Sequence, residues 1–448
     1  MKHNLFFCVL GLFVVAMCIS LTACGETGEE EAAIPTSQET NVTTIPGNLE
    51  EASVKTFTVL EPETNWPLTE VQLSLVAQAN DFAFRLFCAL QKPGKSLVLS
   101  PLSVDYVLAM TALGADGETR DAIVEALGGA TTEPKAMHNL FASLIAYLPS
   151  VDENVHINLA NAFYLNAGLS GLSINPVYQQ VMKNSYLADC KAVKVSEQEG
   201  IDYMNAWCNM QTNGFIPEVF PEPLSDETVC LLINALYFKG DWLNLFDSRN
   251  TKDFDFKLED NTSTKVPMMS QRSPFLYMES ELFQTVRLPY GKYEDSDAPK
   301  PYNLTILLPC EGKTTADILA WLSAKHVADL SQQMKMEEVQ IRLPRFETEV
   351  RTNLLDVLIT LGIPFNDNDL RGFVLCSEKP WGISVSDILQ CARIKVNEKG
   401  TEAGAVTMDI CTSGLPTKTF NADHPFVYLL TERQTGTILF LGTYHGNE

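Results

Sequence analysis

From Thr69 onward the chain carries a helical signature. Leu75, Ala79, Phe82, Leu86 and Leu90 recur at intervals of three and four, giving a helix one apolar face. Thr69 with Gln72 three residues later is a capping box that opens this helix, and Pro93-Gly94 ends it. A second helix is predicted after Ser100-Pro101, through Val107, Met110 and Leu113 to Gly114. A third runs from Thr119 through Ile123 and Leu127 to Gly128-Gly129. Later segments alternate instead. Val339, Ile341 and Leu343 interleave with Gln340 and Arg342, and Ala392, Ile394 and Val396 with Arg393 and Lys395. That is the two-residue period of half-buried strands. Residues 302–308 and 438–441 are apolar runs of buried-strand length. Helices early and strands late, without regular alternation, predict an α+β fold rather than a doubly wound parallel sheet.

One strand changes character as it ends. After Val396 and Glu398 most side chains turn small: Gly400, Thr401, Ala403, Gly404, Ala405. Such a run can stand outside a sheet as a loop, yet it has little bulk to stop it entering one. That dual capacity is the physical requirement of a loop that waits and later inserts as a new strand.

With 448 residues, 46% hydrophobic and 20% charged, the chain is globular and long enough to bury a large core. Its net charge of -24 and the lack of a basic stripe exclude nucleic acid as a partner. Residues 1–23 are set apart from the fold. Lys2 and His3 precede an apolar run from Leu5 to Ile19, too short for a convincing spanning helix, and then comes Leu21-Thr22-Ala23-Cys24. This is similar to a bacterial lipobox, which implies cleavage before Cys24 and a lipid anchor on Cys24; the alternative is an ordinary secreted protein with a chance cysteine. Residues 24–66 form an acidic tether, predicted to be disordered, with a reach on the order of 35 Å. Its acidic cluster resembles a surface-export signal of bacterial lipoproteins, so the outer membrane or cell surface is expected, with the periplasmic face as the alternative. No second linker interrupts residues 67–448, which read as one domain. The cysteines after Cys24 are scattered without a C-x-x-C pair and read mostly as small buried hydrophobes.

Six blocks then share an order. They are Leu99-Ser100-Pro101-Leu102-Ser103 with 113–119, Asn205-Ala206-Trp207 with Thr212-Asn213-Gly214, and Asn234 through Trp242. Leu288-Pro289-Tyr290 with Leu307-Leu308-Pro309, the Gly400-Thr401-Glu402-Ala403 hinge and 422–426 complete the set. In this order and spacing the chain resembles the serpin family from Leu68 to Tyr444. The resemblance implies a single domain of three sheets with eight or nine helices, and an exposed reactive loop at about 400–419 that baits a protease. The protease nucleophile forms an acyl-enzyme with the loop, and the freed hinge inserts into the main sheet, distorting the protease before deacylation.

Family spacing places the reactive bond at Gly414-Leu415, with Ser413 as a neighbouring candidate because register can slip by one. A small residue before the cut fits a serine protease of the elastase or subtilisin type, with a cysteine protease as the alternative target. The hinge comprises Glu398, Gly400, Thr401, Ala403, Ala405 and Thr407. Thr401 leads, and its side chain must pass inward, so a bulky charge there should stall insertion. Asp409 shares that parity and should slow late insertion. The resemblance maps a sheet-opening cluster onto Ser100, Ser103, Asn234, Trp242 and Gln390. Gln390 stands where the family usually has histidine; it can replace some hydrogen bonds but cannot titrate.

Enzymatic motifs are missing: no phosphate loop, Rossmann fingerprint, H-E-x-x-H or G-x-S-x-G occurs, and the 6 histidines have no ligand-like spacing. No cofactor, metal or catalytic residue is expected, and the chain is expected to be a monomer. Two functions remain: a lipid-anchored inhibitor that traps its protease covalently, or a non-inhibitory member acting as a binding or structural surface protein.

Overall fold

The Thr69 hydroxyl accepts from the Gln72 amide, and the Gln72 side chain accepts from the Thr69 amide, so the capping box forms and opens α1 (Glu70–Leu90). The computed structural model describes residues 67–292, 299–365, 370–376, 385, 387–401 and 418–446, within a body spanning Lys55–Glu448. Cys24, the signal and the whole tether lie outside them. After α1 come β1 (Leu97–Leu99), α2 (Pro101–Gly114), α3 (Gly117–Gly128) and α4 (Pro134–Tyr147). Next are β2 (Val155–Asn166), β3 (Leu172–Ile174), α5 (Pro176–Ser185), β4 (Asp189–Val193), α6 (Gln198–Gln211) and β5 (Cys230–Asp241). Strands β6 (Lys252–Lys257), β7 (Ser263–Glu279), β8 (Phe283–Pro289) and β9 (Tyr302–Pro309) precede α7 (Thr315–Trp321) and α8 (Ala324–Gln333). Then follow β10 (Lys335–Pro344), β11 (Phe346–Asn353), α9 (Leu355–Thr360), β12 (Val374–Cys376) and β13 (Asp387–Val396). The chain closes with β14 (Gly400–Thr401), β15 (Lys418–Asn421), β16 (Phe426–Glu432) and β17 (Ile438–Tyr444).

The strands build three sheets among the described residues, and the class is α+β. A six-stranded sheet runs β11-β13-β14-β5-β2-β4; a nine-stranded one runs β1-β17-β16-β9-β8-β7-β10-β15 with β6 on β7; β12 pairs β3. The expected division into early helices and late strands is too simple. Strands β2 and β5 have 12 residues each, and β2 lies well inside the first half of the chain with β5 just past its midpoint. They escape a two-residue reading because both faces of β5 are apolar. Leu232, Leu236 and Phe238 enter the main core, whereas Leu231, Ile233, Ala235 and Tyr237 join a second core with Ile201, Met204, Trp207 and Cys208 of α6. A strand covered on both sides needs no polar face. Helix α2 is buried almost all round, so it carries little amphipathic signal either.

Cys190, Cys208, Cys230 and Cys391 are buried and free. Burial pushes the first three thiols up to about 12 and Cys391 to about 11, which keeps them protonated and inert.

Candidate functional site

The two central strands of the six-stranded sheet meet at one end and part at the other. Asp387–Gln390 of β13 pair in parallel with 231–234 of β5. Beyond Gln390 and Asn234, no ladder pairing among the described residues joins 391–395 to 235–239. The gap closes again at β14, where Gly400 pairs with Asp241, Thr401 with Gly240, and Thr401 on its other side with Val396. The chain therefore reverses after β13 and threads its first small residues back between its own strand and β5.

Each residue type at this turn has a physical reason. A Cβ on Gly400 would come to 2.0 Å of the Gly240 carbonyl oxygen, so only glycine fits here. Thr401 is 1% exposed, and its hydroxyl lies 2.7 Å from that of Tyr290. The Trp242 amide donates to the Lys399 carbonyl at 2.6 Å, its indole N–H to the Asn397 carbonyl at 2.9 Å, and its ring stacks on Tyr290 at 4.4 Å. The Phe246 amide donates to the Glu398 carbonyl at 2.8 Å. Trp242 thus grips the turn from beneath.

The Glu398 carboxylate pairs with Arg345 and accepts from the Thr251 hydroxyl at 2.7 Å. Burial draws its pKa up, but the bonds from Arg345 and Thr251 outweigh it and hold the group below the ordinary 4.5. A depressed carboxylate stabilises the fold above its unfolded value and loses that contribution as pH falls through the folded one. Because Arg345 is half-exposed, the clasp contributes about 1 kcal/mol, or roughly 1 °C of melting temperature in a domain of this length. Glu398→Gln should melt lower than the wild type by that margin at pH 7. The two melting curves should converge as the pH falls from 4.5 through the depressed folded value of Glu398, and calorimetry across that range checks both.

The five residues expected to form a sheet-opening cluster separate into three groups. The Gln390 side chain donates to the Ser100 carbonyl at 2.7 Å and accepts from the Ser100 amide at 3.3 Å, while the Ser100 and Ser103 hydroxyls bond at 2.8 Å. Gln390 uses both ends of its amide, so this contact does not titrate. Asn234 lies opposite Gln390 in register but donates to Asn161, which donates in turn to the Tyr186 carbonyl. The Asn234 Oδ1 meets no partner among the described residues. Trp242 lies eight residues further along than Asn234, about 26 Å away at strand spacing, and serves the hinge instead.

The loop boundaries also differ from those expected at 400–419. Gly400 and Thr401 are already strand residues, and at the far end β15 pairs in parallel with Val339–Arg342 of β10, which takes in Lys418 and Thr419. The hinge positions Ala403, Ala405 and Thr407, Asp409, and the reactive-bond candidates Ser413, Gly414 and Leu415 lie outside the described residues. Arg345, Thr251 and Asn161 carried no sequence signal for these roles. Tyr290 did, as part of the Leu288-Pro289-Tyr290 block.

Comparison with known proteins agrees with this geometry. The family model described as Serpin (serine protease inhibitor) matches residues 77–446. The chain is a serpin. Serpin-Z1C of Triticum aestivum is 32% identical over 393 residues, covering 84% of this chain and 96% of its own. Antichymotrypsin-2 of Bombyx mori is 32% identical over 386 residues, covering 83% and 98%. Among solved structures, the thermophilic serpin tengpin in its native state superposes with a TM-score of 0.76 at 25% identity, covering 85% of this serpin and 95% of tengpin. Human thyroxine-binding globulin in complex with thyroxine superposes at 0.74 with 26% identity, covering 83% and 98%. Members of the family generally inhibit proteases rather than catalyse, and their fold is the one described above.

Proposed function

We propose that this serpin inhibits a serine endopeptidase by a covalent trap. The carrying observation is the gap between β5 and β13, paired at one end, unpaired along 235–239 and 391–395, and already entered by Gly400 and Thr401 at the other. In this reading the protease nucleophile attacks the Gly414 carbonyl, the Leu415 amine leaves, and the acylated strand continues along the gap with the enzyme attached. A small residue before the cut selects an elastase- or subtilisin-type enzyme, with a cysteine protease as the alternative. Lipidation at Cys24 and an acidic tether would hold the inhibitor at a bacterial outer membrane or cell surface. The test is to mix the protein with elastase, subtilisin and a cysteine protease and look for a complex that survives denaturing electrophoresis. Such a band with elastase or subtilisin is the expected result; simple loop cleavage across a broad panel would sink the proposal. It would favour a binding role, for which the fold has a precedent in thyroxine-binding globulin, solved with thyroxine bound.

A further inference from the structure

We infer that Tyr290 is the receptor for the leading hinge side chain, a positioning residue whose buried hydroxyl holds Thr401 in the sheet and so sets the hinge for insertion. This deepens the trap reading above and rests on it. Tyr290 is 0% exposed, and its ring is enclosed by its neighbours. It stacks on Trp242 at 4.4 Å, meets Phe238 edge-on at 5.0 Å, and lies where a Cβ on Gly240 would approach its Cδ1 to 3.0 Å. Among the described residues its hydroxyl has one hydrogen-bond partner, the Thr401 hydroxyl at 2.7 Å.

The dependence is mutual. If the hinge withdraws, the Tyr290 hydroxyl stays behind in an apolar pocket with nothing to bond, a costly state for a buried polar group. If Thr401 enters, both hydroxyls are satisfied at once and the short β-branched stem fills the space beside Gly240. A side chain of the same shape without a hydroxyl would fill the space and leave the phenol unpaired. The site therefore discriminates by chemistry as well as by size, and it favours a short hydroxyl-bearing residue at the head of the inserting strand. The Trp242 amide bond to Lys399 and the Asn397 amide bond to Gly400 can form only while the turn is tucked in, so they report on this latch.

Amide hydrogen exchange of the uncleaved protein tests the inference. Tyr290→Phe and Thr401→Val should each speed exchange at the Trp242 and Asn397 amides by about fivefold, and the double variant should exchange no faster than either alone. Thr401→Ser should stay near the wild-type rate. Wild-type exchange in Tyr290→Phe, or single effects that multiply in the double variant, would overturn the assignment. Should Tyr290→Phe fail to fold, Thr401→Val against Thr401→Ser decides alone: equal exchange in the two refutes a hydroxyl-specific latch. Tyr290→Phe and Thr401→Val should also raise the number of inhibitor molecules consumed per protease trapped. Failure of every protease to form a complex would remove the trap reading while leaving the exchange result to stand or fall separately.

Discussion

A single cut within residues 402–417 should raise the melting temperature of this serpin by roughly 10 °C or more. The prediction follows from the register already in place. Thr401 pairs with Gly240, and in an antiparallel ladder each two steps forward on one strand move two steps back on the other. Continued insertion brings Ala403 opposite Phe238, Ala405 opposite Leu236 and Thr407 opposite Asn234. Directly opposed residues share a face, so these small side chains would lie over the main core, where Phe238 and Leu236 already pack. Thr407 would meet the Asn234 amide, whose Oδ1 is without a partner among the described residues. About a dozen inserted residues, each netting about 0.5–1.5 kcal/mol of hydrogen bonding, give on the order of 10 kcal/mol before any apolar burial. Chain continuity from β15 back to the hinge opposes this in the uncut molecule, and the cut removes it. Melting curves before and after limited proteolysis, with the cut located by mass spectrometry, are the measurement. An unchanged midpoint would mean that the gap does not accept the strand, and the trap would lose its energy source.

What could be read from the sequence depended on whether one element sufficed to show it. The Thr69 capping box, the α1 face and the alternation in β10 and β13 are local patterns, and each matches an element of the structure. The hinge chemistry was equally local, since the run of small residues after Glu398 needs no partner to be recognised. Partners distant in sequence were another matter. Arg345 and Thr251 reach Glu398 from 53 and 147 residues away, and nothing in either segment points to the other. Strands β2 and β5 were hidden for a different reason, because apolar cover on both faces erases the two-residue period that reveals a strand. The assumption that Trp242 belongs with Ser100 and Gln390 failed because one block of sequence, Asn234 through Trp242, runs the length of β5 and serves both ends of the gap. Proximity in sequence is distance along a strand.

Replacing Thr401 with arginine should make trapping at least tenfold less efficient while leaving the fold intact. Thr401 is 1% exposed beside Gly240, with Gly400 packed too tightly against the Gly240 carbonyl for the turn to shift aside. A guanidinium there would lose its hydration and find only a phenol hydroxyl at hydrogen-bonding distance, since Glu398 is engaged by Arg345 and Thr251. The cost of burying such a charge unpaired is several kcal/mol, which is enough to keep the hinge out of the sheet. Strands β5 and β13 would still pair through 231–234 and 387–390, and only Tyr290 would lose its hydrogen-bond partner at residue 401, so the native protein should fold with a withdrawn hinge. Cleavage and insertion would then separate. The protease would cut the loop at its ordinary rate, but the hinge would enter too slowly to outrun deacylation, and the enzyme would leave active. The number of inhibitor molecules consumed per protease trapped should rise at least tenfold, a ratio that several kcal/mol on the insertion step comfortably exceeds. Thr401→Ser, which keeps the hydroxyl and the size, should trap as the wild type does. A variant with arginine at this position that still yields the wild-type amount of stable complex would show that the strand enters by some other lead residue.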